Sequence, residues 1–513
     1  MNSLFRALPV LLLCLSLVQC DKTPEQVENP PYPETRLDEN AGTWKTYILQ
    51  NPTEVPLAAP TDPTSAEYLA ELDAVAALQQ NLSGAQQEAI QYWGENGVLR
   101  WHEIARELAA LYNAPPKNNA EGTYPNPDPN NPTSFPRFPF ANPPYASRAF
   151  ALLAVAQYDA LVATWHYKFT HNRKAPYQYN NQRINPMLPQ SDLPSYPSED
   201  AVVAAASREL LKFLFPGEKE YLDGRATEHK NSRLWAGSNV QSDLDAGEAL
   251  GVAIAQKIIA YAKTDGMGQA NAQANFPNLK ADAAARGFTT QWTSRDLPAR
   301  PPMLPFFGNV KMWNMTVADK VAVRPAAPPL PGSAAFEADY KEMLDLAKNR
   351  SREQFRIAAF WADGPGTYTP PGHWNRKGEE LIRRARWNEI RTARAMALLN
   401  TAMEDAGISC WDTKYYYLTQ RPSEVDSDIT TSTGIPNFPG YTSGHSTFSA
   451  AGAEVLSYLF PEESSTLKAW AKEASDSRVY GCIHFRIDCS KGLEAGEKIG
   501  AFAVARGRQD GSE

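Results

Sequence analysis

The sequence is poor in cysteine, in long apolar runs and in clustered positive charge. Five cysteines in 513 residues are too few for a disulfide framework to hold the fold. Beyond the N-terminus no apolar run approaches the ~18 residues that a membrane-spanning helix needs, so we expect a soluble mature protein. The net charge of -8, without Lys/Arg tracts, argues against nucleic acid as the main partner, because phosphate neutralisation needs clustered cations.

Helical patterns dominate what the sequence does contain. Apolar residues make up 43% of the chain, an ordinary globular share. Alternating β patterns are scarce, whereas residues 146–165 and 379–406 carry apolar side chains at three- and four-residue spacing, which predicts long helices. Two proline-rich stretches, 115–144 and 323–333, predict loops or linkers. We expect an all-α protein of two packed helical bundles with long Pro-rich loops, and we find no repeat of 20–50 residues.

The first 20 residues have the pattern of an export signal. One Arg precedes the apolar stretch Leu8–Val18, which is too short to span a membrane and has the length of a secretory apolar region. The stretch leads to Cys20 in a sequence that resembles the lipobox of bacterial lipoproteins, where the cysteine is lipidated. Gln19 is not the small residue usual before that cysteine, so plain signal cleavage or a buried N-terminal helix are the alternatives. We expect an exported protein of the bacterial cell envelope, periplasmic or lipid-anchored.

These features predict four segments along the chain. Residues 1–20 would be a lipoprotein-type signal peptide, and the polar, Pro-rich residues 21–57 a tether and N-terminal arm. Residues 58–330 would form an N-terminal helical bundle, and residues 331–513 a C-terminal bundle that carries the chemistry.

Three clusters near the C-terminus contain chemically active side chains. They are KYYYLTQRP (414–422), PGYTSGH (439–445) and SRVYGCIHFRID (477–488). Lys414, Arg421 and Arg478 supply three cations, and charge-assisted hydrogen bonds from such groups suit an oxyanion with two or three negative charges. Each cation alone has the simpler interpretation of a solvated surface charge.

The second cluster leads directly into a helical pattern. Backbone N–H groups at a helix start are unpaired and lie at the positive end of the helix dipole, so an anion binds there readily. Gly444 lets the backbone approach a ligand, Ser443 adds a hydroxyl donor, and His445 can transfer a proton near neutral pH. For this motif alone, an ordinary Ser-capped helix is the simpler interpretation.

The third cluster places His484 four residues before Asp488, so the two side chains share a face if the segment is helical. Asp488 would then hold one ring nitrogen and leave the other free as a nucleophile or ligand. A surface His–Asp pair is the alternative. Four other histidines show no ligand-type spacing and are expected to be surface or structural residues: His102, His166, His171 and His229.

The joint pattern Lys-x6-Arg-Pro, Ser-Gly-His and Ser-Arg-x5-His-x3-Asp resembles the three-part signature of the type 2 phosphatidic acid phosphatase and vanadium-dependent haloperoxidase superfamily. All ten fixed positions match, and Thr442 stands where the family often has proline. Residues 360–375 and the two-bundle layout are also similar. Because no membrane-spanning helices are expected, the chain resembles the haloperoxidase-like branch more than the integral lipid phosphatases.

The resemblance implies a role for each matching residue. His484 would bind vanadate, or would be the nucleophile that forms a phosphohistidine in a phosphatase, with Asp488 orienting it. His445 would be the acid–base group. The oxyanion cradle, which phosphate can occupy as well as vanadate, would consist of Lys414, Arg421, Arg478, Ser443 and the N–H group of Gly444.

Further similarities concern the halide site. Trp411 and Phe438 fall where fungal chloroperoxidases of this family place the aromatic residues of that site, although core packing explains them equally well. Asp363 resembles the acidic residue that hydrogen-bonds the acid–base histidine, across a one-residue gap. His373, nearby in the sequence, receives no role.

Three functions are therefore open. The first is a vanadium-dependent haloperoxidase that oxidises halide with hydrogen peroxide. The second is an acid phosphatase that hydrolyses phosphate monoesters at the same residues, and the third is a lipoprotein that binds an oxyanion or a glycan without catalysis. The resemblance favours the first. In an oxidising envelope three cysteines would be able to pair, with connectivity left open: Cys410, Cys482 and Cys489.

Overall fold

The computed structural model describes residues 30–33, 36–124 and 140–513. The predicted signal peptide with Cys20, and the middle of the Pro-rich stretch 115–144, lie outside these residues. The predictions made for them, including the lipid anchor, stay predictions. So does the domain boundary near residue 330.

The described residues form helices joined by loops and contain no β-strand, which confirms the all-α prediction. The helices in chain order are α1 (Ala66–Leu78), α2 (Gly84–Gly94), α3 (Gly97–Tyr112), α4 (Pro143–His171), α5 (Pro176–Tyr179), α6 (Glu199–Leu214), α7 (Lys219–Trp235), α8 (Gln241–Ala262), α9 (Phe276–Ala285), α10 (Val317–Val323), α11 (Ala334–Asn349), α12 (Arg352–Phe360), α13 (Thr369–Ala385), α14 (Glu389–Tyr417), α15 (Pro422–Val425), α16 (Gly444–Leu459), α17 (Ser464–Tyr480) and α18 (Arg486–Gly507).

The long helices α4 and α14 pack against each other, and both are buried on almost every side. The segment Pro143–Tyr179 is long and apolar enough to cross a membrane by length and composition, with a mean hydropathy of 1.2. The expectation that no such run exists was therefore wrong. Its most apolar window is 100% buried inside the protein, as is typical of the core helix of a large bundle.

The pattern over residues 379–406 is not one helix. Helix α13 ends at Ala385, and Arg386 adopts a left-handed conformation with φ of 53°. Asn388 then caps α14 by accepting a hydrogen bond from the N–H of Arg391 at 3.0 Å. The apolar spacing continues across the break through Trp387. Its ring packs face to face on that of Phe460, with 4.6 Å between the ring centroids.

The two bundles repeat the same order of elements. Five consecutive helices in each half have equal lengths, and each begins 245 or 246 residues after its counterpart: α4 and α14, α5 and α15, α6 and α16, α7 and α17, and α8 and α18. The packing repeats as well, because α6 packs along α8 as α16 packs along α18. The fold is thus an internal duplication, which the search for shorter repeats could not find.

Ion pairs at equivalent positions confirm the duplication. Nε of Arg148 donates to Oδ2 of Asp265 at 2.6 Å, and Nε of Arg394 donates to Oδ2 of Asp510, also at 2.6 Å. The backbone oxygen of each aspartate also accepts a backbone N–H from a segment far away in the sequence, at 2.8 Å in each case. Such matched buried pairs show that the two halves share a design beyond helix order.

Candidate anion-binding site

The three sequence clusters meet at one end of the C-terminal bundle. The last turns of α14 and α17, the start of α15, and the N-termini of α16 and α18 surround His484, which is 2% exposed. Burial, followed by nearby positive charge, lowers the pKa of this imidazole well below its usual value. The groups that act on it electrostatically are Arg421, Lys414, Arg478 and His445.

His484 lies in the turn before α18, two residues before the helix begins. The expectation that His484 and Asp488 share one face of a helix was therefore wrong. Contact with Asp488 forms nevertheless, because Asp488 in the first turn of α18 points back toward the turn. Nδ1 of His484 lies 3.0 Å from Oδ2 of Asp488, and the N–H of Phe485 donates to the same oxygen at 3.2 Å. Nε2 of the imidazole faces Nη1 of Arg421 at 3.3 Å.

Lys414 is completely buried and donates all three of its N–H groups to backbone carbonyls. The acceptors are Pro439 at 2.8 Å, Gly440 at 2.8 Å and Thr442 at 2.5 Å. Burial lowers the pKa of Lys414 to about 7. Lys414 therefore holds the loop before Ser443 and contributes charge, while its expected direct bond to an oxyanion stays a prediction.

Arg421 and Arg478 are also buried and also bonded mainly to backbone. Arg421 donates from Nε to the carbonyl of Phe438 at 2.9 Å and from Nη1 to that of Ile483 at 2.7 Å. Arg478 donates from Nη2 to the carbonyl of Ala358 at 3.1 Å. Burial lowers the pKa of each guanidinium to about 10. Neutral carbonyls do not offset three buried positive charges, so the site is short of negative charge.

The N-terminus of α16 opens onto this positive region. Ser443 caps the helix, since its Oγ accepts from the N–H of Ser446 at 3.3 Å, as the simpler interpretation of the motif required. A Cβ added to Gly444 would meet only the rings of Phe448 and Trp411, each at 3.8 Å, so no protein atom crowds this position. The unpaired N–H groups of the first helical turn can therefore bind an oxyanion here.

His445 is close to Asp363 but not bonded to it. Nε2 of His445 lies 3.8 Å from Oδ2 of Asp363 and has no hydrogen-bond partner among the described residues. Burial and Arg478 lower the pKa of His445 well below its usual value. A buried ring nitrogen without a partner next to a positive pocket is the kind of group that a bound ligand satisfies.

His373 is the site residue that sequence reasoning missed. Its Nδ1 lies 3.2 Å and 3.3 Å from the two carboxylate oxygens of Asp363, which is closer than Nε2 of His445 lies to that carboxylate. Its ring stacks on Trp361, with 4.4 Å between centroids. Trp361 is itself held by a hydrogen bond from Nε1 to Oε1 of Glu473 at 2.8 Å. The only sequence signal was proximity to Asp363, which does not reveal that a chain reversal brings the two side chains together.

The two aromatic residues lie beside the cations and also belong to the core. The rings of Trp411 and Phe438 pack 4.8 Å apart, and both side chains are buried. Nζ of Lys414 and Cζ of Arg421 each lie 5.0 Å from the centroid of Phe438. Nε1 of Trp411 donates to the carbonyl of Met303, which lines a cavity of about 570 Å³.

The three cysteines near the site are free thiols, so the pairing considered from the sequence does not occur. Each thiol has different surroundings. Cys410 contacts Thr442, Cys482 accepts from Nη2 of Arg350 at 3.0 Å, and burial raises the pKa of Cys489 to about 12.

The donor set fits a tetrahedral or trigonal-bipyramidal oxyanion such as vanadate or phosphate. It combines buried guanidinium groups, a helix N-terminus with open space at Gly444, and one imidazole whose Nδ1 is held by Asp488. Among the residues that the structure describes, no three His, Cys, Asp or Glu side chains group together to hold a bare metal ion. The site therefore fits an anion held by charge and one nitrogen.

Comparisons with known proteins concern the sequence around this site and the fold. The family model described as the second helical-bundle domain of vanadium chloroperoxidase matches residues 462–510, which contain Arg478, His484 and Asp488. No curated protein matches the chain. The resemblance to the vanadium haloperoxidase superfamily expected from the sequence is thus confirmed, and the matched segment lies in the second of the two duplicated halves.

Solved structures show the same fold at low sequence identity. A bacterial vanadium-dependent iodoperoxidase is 24% identical, with a TM-score of 0.55 over 71% of this chain and 91% of that chain. A bacterial vanadium-dependent chloroperoxidase in its holo form is 14% identical, with a TM-score of 0.51 over 77% and 98%. Its apo form gives 14% and 0.50, over 71% and 94%. The fold is that of the vanadium haloperoxidases.

Proposed function

We propose that the protein is a vanadium-dependent haloperoxidase that oxidises halide with hydrogen peroxide at vanadate held by His484. The observation that carries the proposal is the shortage of negative charge around that imidazole. Three buried basic side chains surround it, and the pKa of each is lowered because burial outweighs the nearby carboxylates, chiefly Asp488 and Asp363. An oxyanion with two or three charges would restore the balance. The fold shared with two bacterial vanadium haloperoxidases supports the same conclusion.

The imidazole of His484 is prepared to bind through Nε2. Asp488 accepts from Nδ1–H, which selects the tautomer whose Nε2 carries a lone pair. The depressed pKa of His484 keeps that lone pair free of a proton at neutral pH. Bound vanadate would supply a Lewis acid that activates hydrogen peroxide toward halide. Arg421 and Arg478 would stabilise the negative oxygens, Arg421 through the Nη1 that now faces Nε2 of His484, while their other N–H groups are held by backbone carbonyls.

His445 is suited to accept a proton. Because its pKa lies well below the usual value, the ring is neutral at neutral pH, and its unpartnered Nε2 is available to a proton from hydrogen peroxide. Asp363, 3.8 Å away, would stabilise the imidazolium formed by that transfer. Trp411 and Phe438 would border the halide, whose charge suits the edges of aromatic rings and the nearby cations.

One series of assays tests the proposal. The purified protein is stripped of oxyanions, and halide oxidation by hydrogen peroxide is measured with and without added vanadate, for the wild type and His484→Ala. We expect activity only in the wild type with vanadate. His171→Ala is the matched control, because His171 lies outside the site.

The same samples decide between this function and the others. Hydrolysis of a phosphate monoester that vanadate inhibits, without halide oxidation, would identify an acid phosphatase that uses His484 as nucleophile. Tight vanadate or phosphate binding that survives His484→Ala, with neither activity, would identify a non-catalytic oxyanion-binding protein.

We also propose export to the cell envelope. Radiolabelled lipid on Cys20 of the expressed full chain would support export, and unmodified Cys20 in the cytosol would contradict it.

A further inference from the structure

A cavity of about 570 Å³ lies at one end of the N-terminal bundle, between the start of α4, the last turns of α6 and α8, and the loop around Met303. This volume falls within the ~300–1,000 Å³ of sites that bind small organic molecules. Most of the lining is apolar, and its large side chains include Phe140, Phe213, Leu214, Met267, Met303 and Leu304. The carbonyl of Met303 also accepts from Nε1 of Trp411, so the cavity adjoins the aromatic pair beside the anion site.

The internal duplication supplies a second copy of this place, at the end of the C-terminal bundle. Lys45 and Lys311 donate their backbone N–H groups to the paired aspartates of the two halves, at 2.8 Å each, so the segments around these lysines correspond. Seven residues earlier in each segment stand Asp38 and Leu304, and both have a left-handed backbone, with φ of 50° and 46°. The two ends can therefore be compared residue by residue.

Polar side chains fill this place in the C-terminal copy. Asp38 forms an ion pair with Arg391, with Oδ1 at 2.7 Å from Nη2. The guanidinium of Arg394 donates to the hydroxyl of Tyr458 at 3.2 Å, and that hydroxyl donates to Glu513. Charges and hydrogen bonds are thus matched within the protein at this end.

The N-terminal copy has apolar or small residues at the same positions, and all of them line the cavity. The counterparts of Asp38, Arg391, Tyr458 and Glu513 are, in that order, Leu304, Tyr145, Phe213 and Gly268. The N–H groups of Ser512 and Met267, one residue before the last pair, donate to the equivalent aspartates at 3.0 Å and 2.8 Å, which fixes this correspondence. A Cβ added to Gly268 would meet no atom within 4 Å. The cavity therefore lies where the polar side chains of the other copy are missing.

The loss of Asp38 at this end leaves an amide without its acceptor. In the C-terminal copy, Nδ2 of Asn388, the N-cap of α14, donates to Oδ2 of Asp38 at 3.0 Å. Asn142 caps α4 in the same way, with Oδ1 accepting from the N–H of Tyr145 at 3.0 Å. Asn142 is 4% exposed and lines the cavity, and its Nδ2 has no hydrogen-bond partner among the residues that the structure describes. A buried donor of this kind is one that a ligand oxygen satisfies.

The loss of the tyrosine hydroxyl has the same effect on Arg148, which is 5% exposed and also lines the cavity. Nε of Arg148 donates to Asp265, and Nη2 donates to the carbonyl of Ala262 at 2.8 Å. Phe213 offers no hydroxyl in place of that of Tyr458, and Nη1 of Arg148 has no hydrogen-bond partner in the described part of the chain. The cavity wall therefore contains two buried side chains with spare donors.

The charges around the cavity favour an uncharged ligand. No aspartate or glutamate is among the described residues that line it. Three of the four lining cations are already paired with carboxylates: Arg148 with Asp265, Lys212 with Asp223, and Arg300 with Asp296. The fourth, Lys263, is exposed, so solvent and salt screen its charge. A molecule that accepts hydrogen bonds without a net charge suits this lining better than an anion or a cation.

We propose that the cavity binds an uncharged, largely apolar organic molecule that bears a carbonyl oxygen, with Asn142 and Arg148 as its donors. The apolar lining would remove the body of the molecule from water, and the donors would fix its orientation. Because the cavity adjoins Trp411 through Met303, the molecule would lie next to the proposed anion site. The inference goes beyond the proposed function, and binding in the cavity depends neither on vanadate nor on halide oxidation.

A matched pair of ligands tests the inference. Equilibrium dialysis of the full chain, without vanadate, measures binding of benzophenone, an uncharged aromatic ketone, and of diphenylmethane, in which two hydrogens replace the carbonyl oxygen. We expect the wild type to bind one equivalent of benzophenone and to bind diphenylmethane at least about tenfold more weakly, because the donors then stay unpaired.

Two variants locate the binding. Asn142→Ser keeps a capping oxygen but removes the amide donor, and we expect about tenfold weaker binding of benzophenone with little change for diphenylmethane. Asn388→Ser, at the equivalent cap, is the matched control and should bind both as the wild type does. Gly268→Leu puts a side chain into the cavity and should weaken both at least about tenfold. Gly224→Leu, at another glycine with nothing within 4 Å, is its control.

Three results would overturn the inference: no saturable binding of benzophenone by the wild type, equal affinity for the two ligands, or affinities that a folded Gly268→Leu protein leaves unchanged. The thermal midpoint of each variant shows whether it folds. The comparison of the two ligands on the wild type needs no variant, so the inference can fail even if Asn142→Ser does not fold.

Discussion

Nδ1 of His484 and Oδ2 of Asp488 lie 3.0 Å apart, whereas the equivalent pair in the N-terminal bundle, Nδ2 of Asn239 and Oδ2 of Asp243, lies 3.5 Å apart. The same carboxylate thus holds an imidazole in one half of the chain and an amide in the other. Since only the imidazole offers a second nitrogen to a ligand, this relationship favours the second half as the place of the proposed anion site.

Removal of the Asp488 carboxylate should weaken vanadate binding. In Asp488→Asn the amide no longer selects the tautomer of His484, and we expect the affinity for vanadate to fall by about 10- to 100-fold, the usual cost of losing such a partner. Isothermal titration of the oxyanion-free protein measures it. Asp243→Asn is the matched control at the equivalent position, and an equal loss of affinity in both variants would contradict the prediction.

Gly444→Ala should separate binding from stability. The new Cβ meets no protein atom closer than 3.8 Å, so the thermal midpoint should stay near the wild-type value. It would stand in the space assigned to the anion, and we expect at least about tenfold weaker phosphate binding, a loss of ~1.4 kcal/mol. Gly84→Ala, at another helix start directly after a capping serine and with nothing within 4 Å, is the control for both measurements. Unchanged phosphate affinity in Gly444→Ala would place the anion elsewhere.

Anion affinity should fall as pH rises through about 7. The pKa of Lys414 is lowered to about 7 by burial, so the site loses this positive charge above that pH. The pKa of Asp488 is raised to about 7, also by burial, and its ionisation acts in the same direction. Sulfate is the appropriate probe, because its own charge is constant over pH 6–9, and we expect its affinity to drop by up to about tenfold per pH unit above 7 for each proton lost. In Lys414→Met the fall should be shallower, and a slope identical to that of the wild type would show that Lys414 does not titrate there.

His373 should act as a positioning residue for Asp363. His373→Phe keeps a ring that can stack on Trp361 but removes the donor, and we expect a 10- to 100-fold lower kcat for halide oxidation with little change in KM. His373→Asn keeps a donor near Nδ1 and should recover most of the rate. In an Asp363→Asn background, His373→Phe should have no further effect.

The outcome that contradicts this role is an equal loss of kcat in His373→Asn and His373→Phe, or losses that multiply in the double variant. His171→Phe, at a histidine that also stacks on an aromatic ring, shows what the loss of a stacked imidazole alone does to stability and rate. The thermal midpoint of every variant separates a change in rate from a change in folding.

Much of the site could be predicted because its residues lie in short local motifs. Ser443, Gly444 and His445 are consecutive, so their place at a helix start follows from local patterns, and His484 reaches Asp488 across one turn. The break at Arg386 was missed because apolar spacing continues through it. The duplication was missed because its period of 245 or 246 residues is far longer than the repeats of 20–50 residues that were considered, although the helices correspond in length and order.

The amino-acid sequence by itself determined which reactive groups the protein has, the helical nature of its segments and the short motifs that group cations with imidazoles. Only the tertiary structure decided how those groups share their charges: that the three protons of Lys414 go to backbone carbonyls, that Asp363 is held by His373, and that Arg233 is neutralised while Arg478 is not. The physical reason is that the electrostatic state of a buried group depends on burial and on partners from distant segments, which helix packing brings together and which no local pattern encodes.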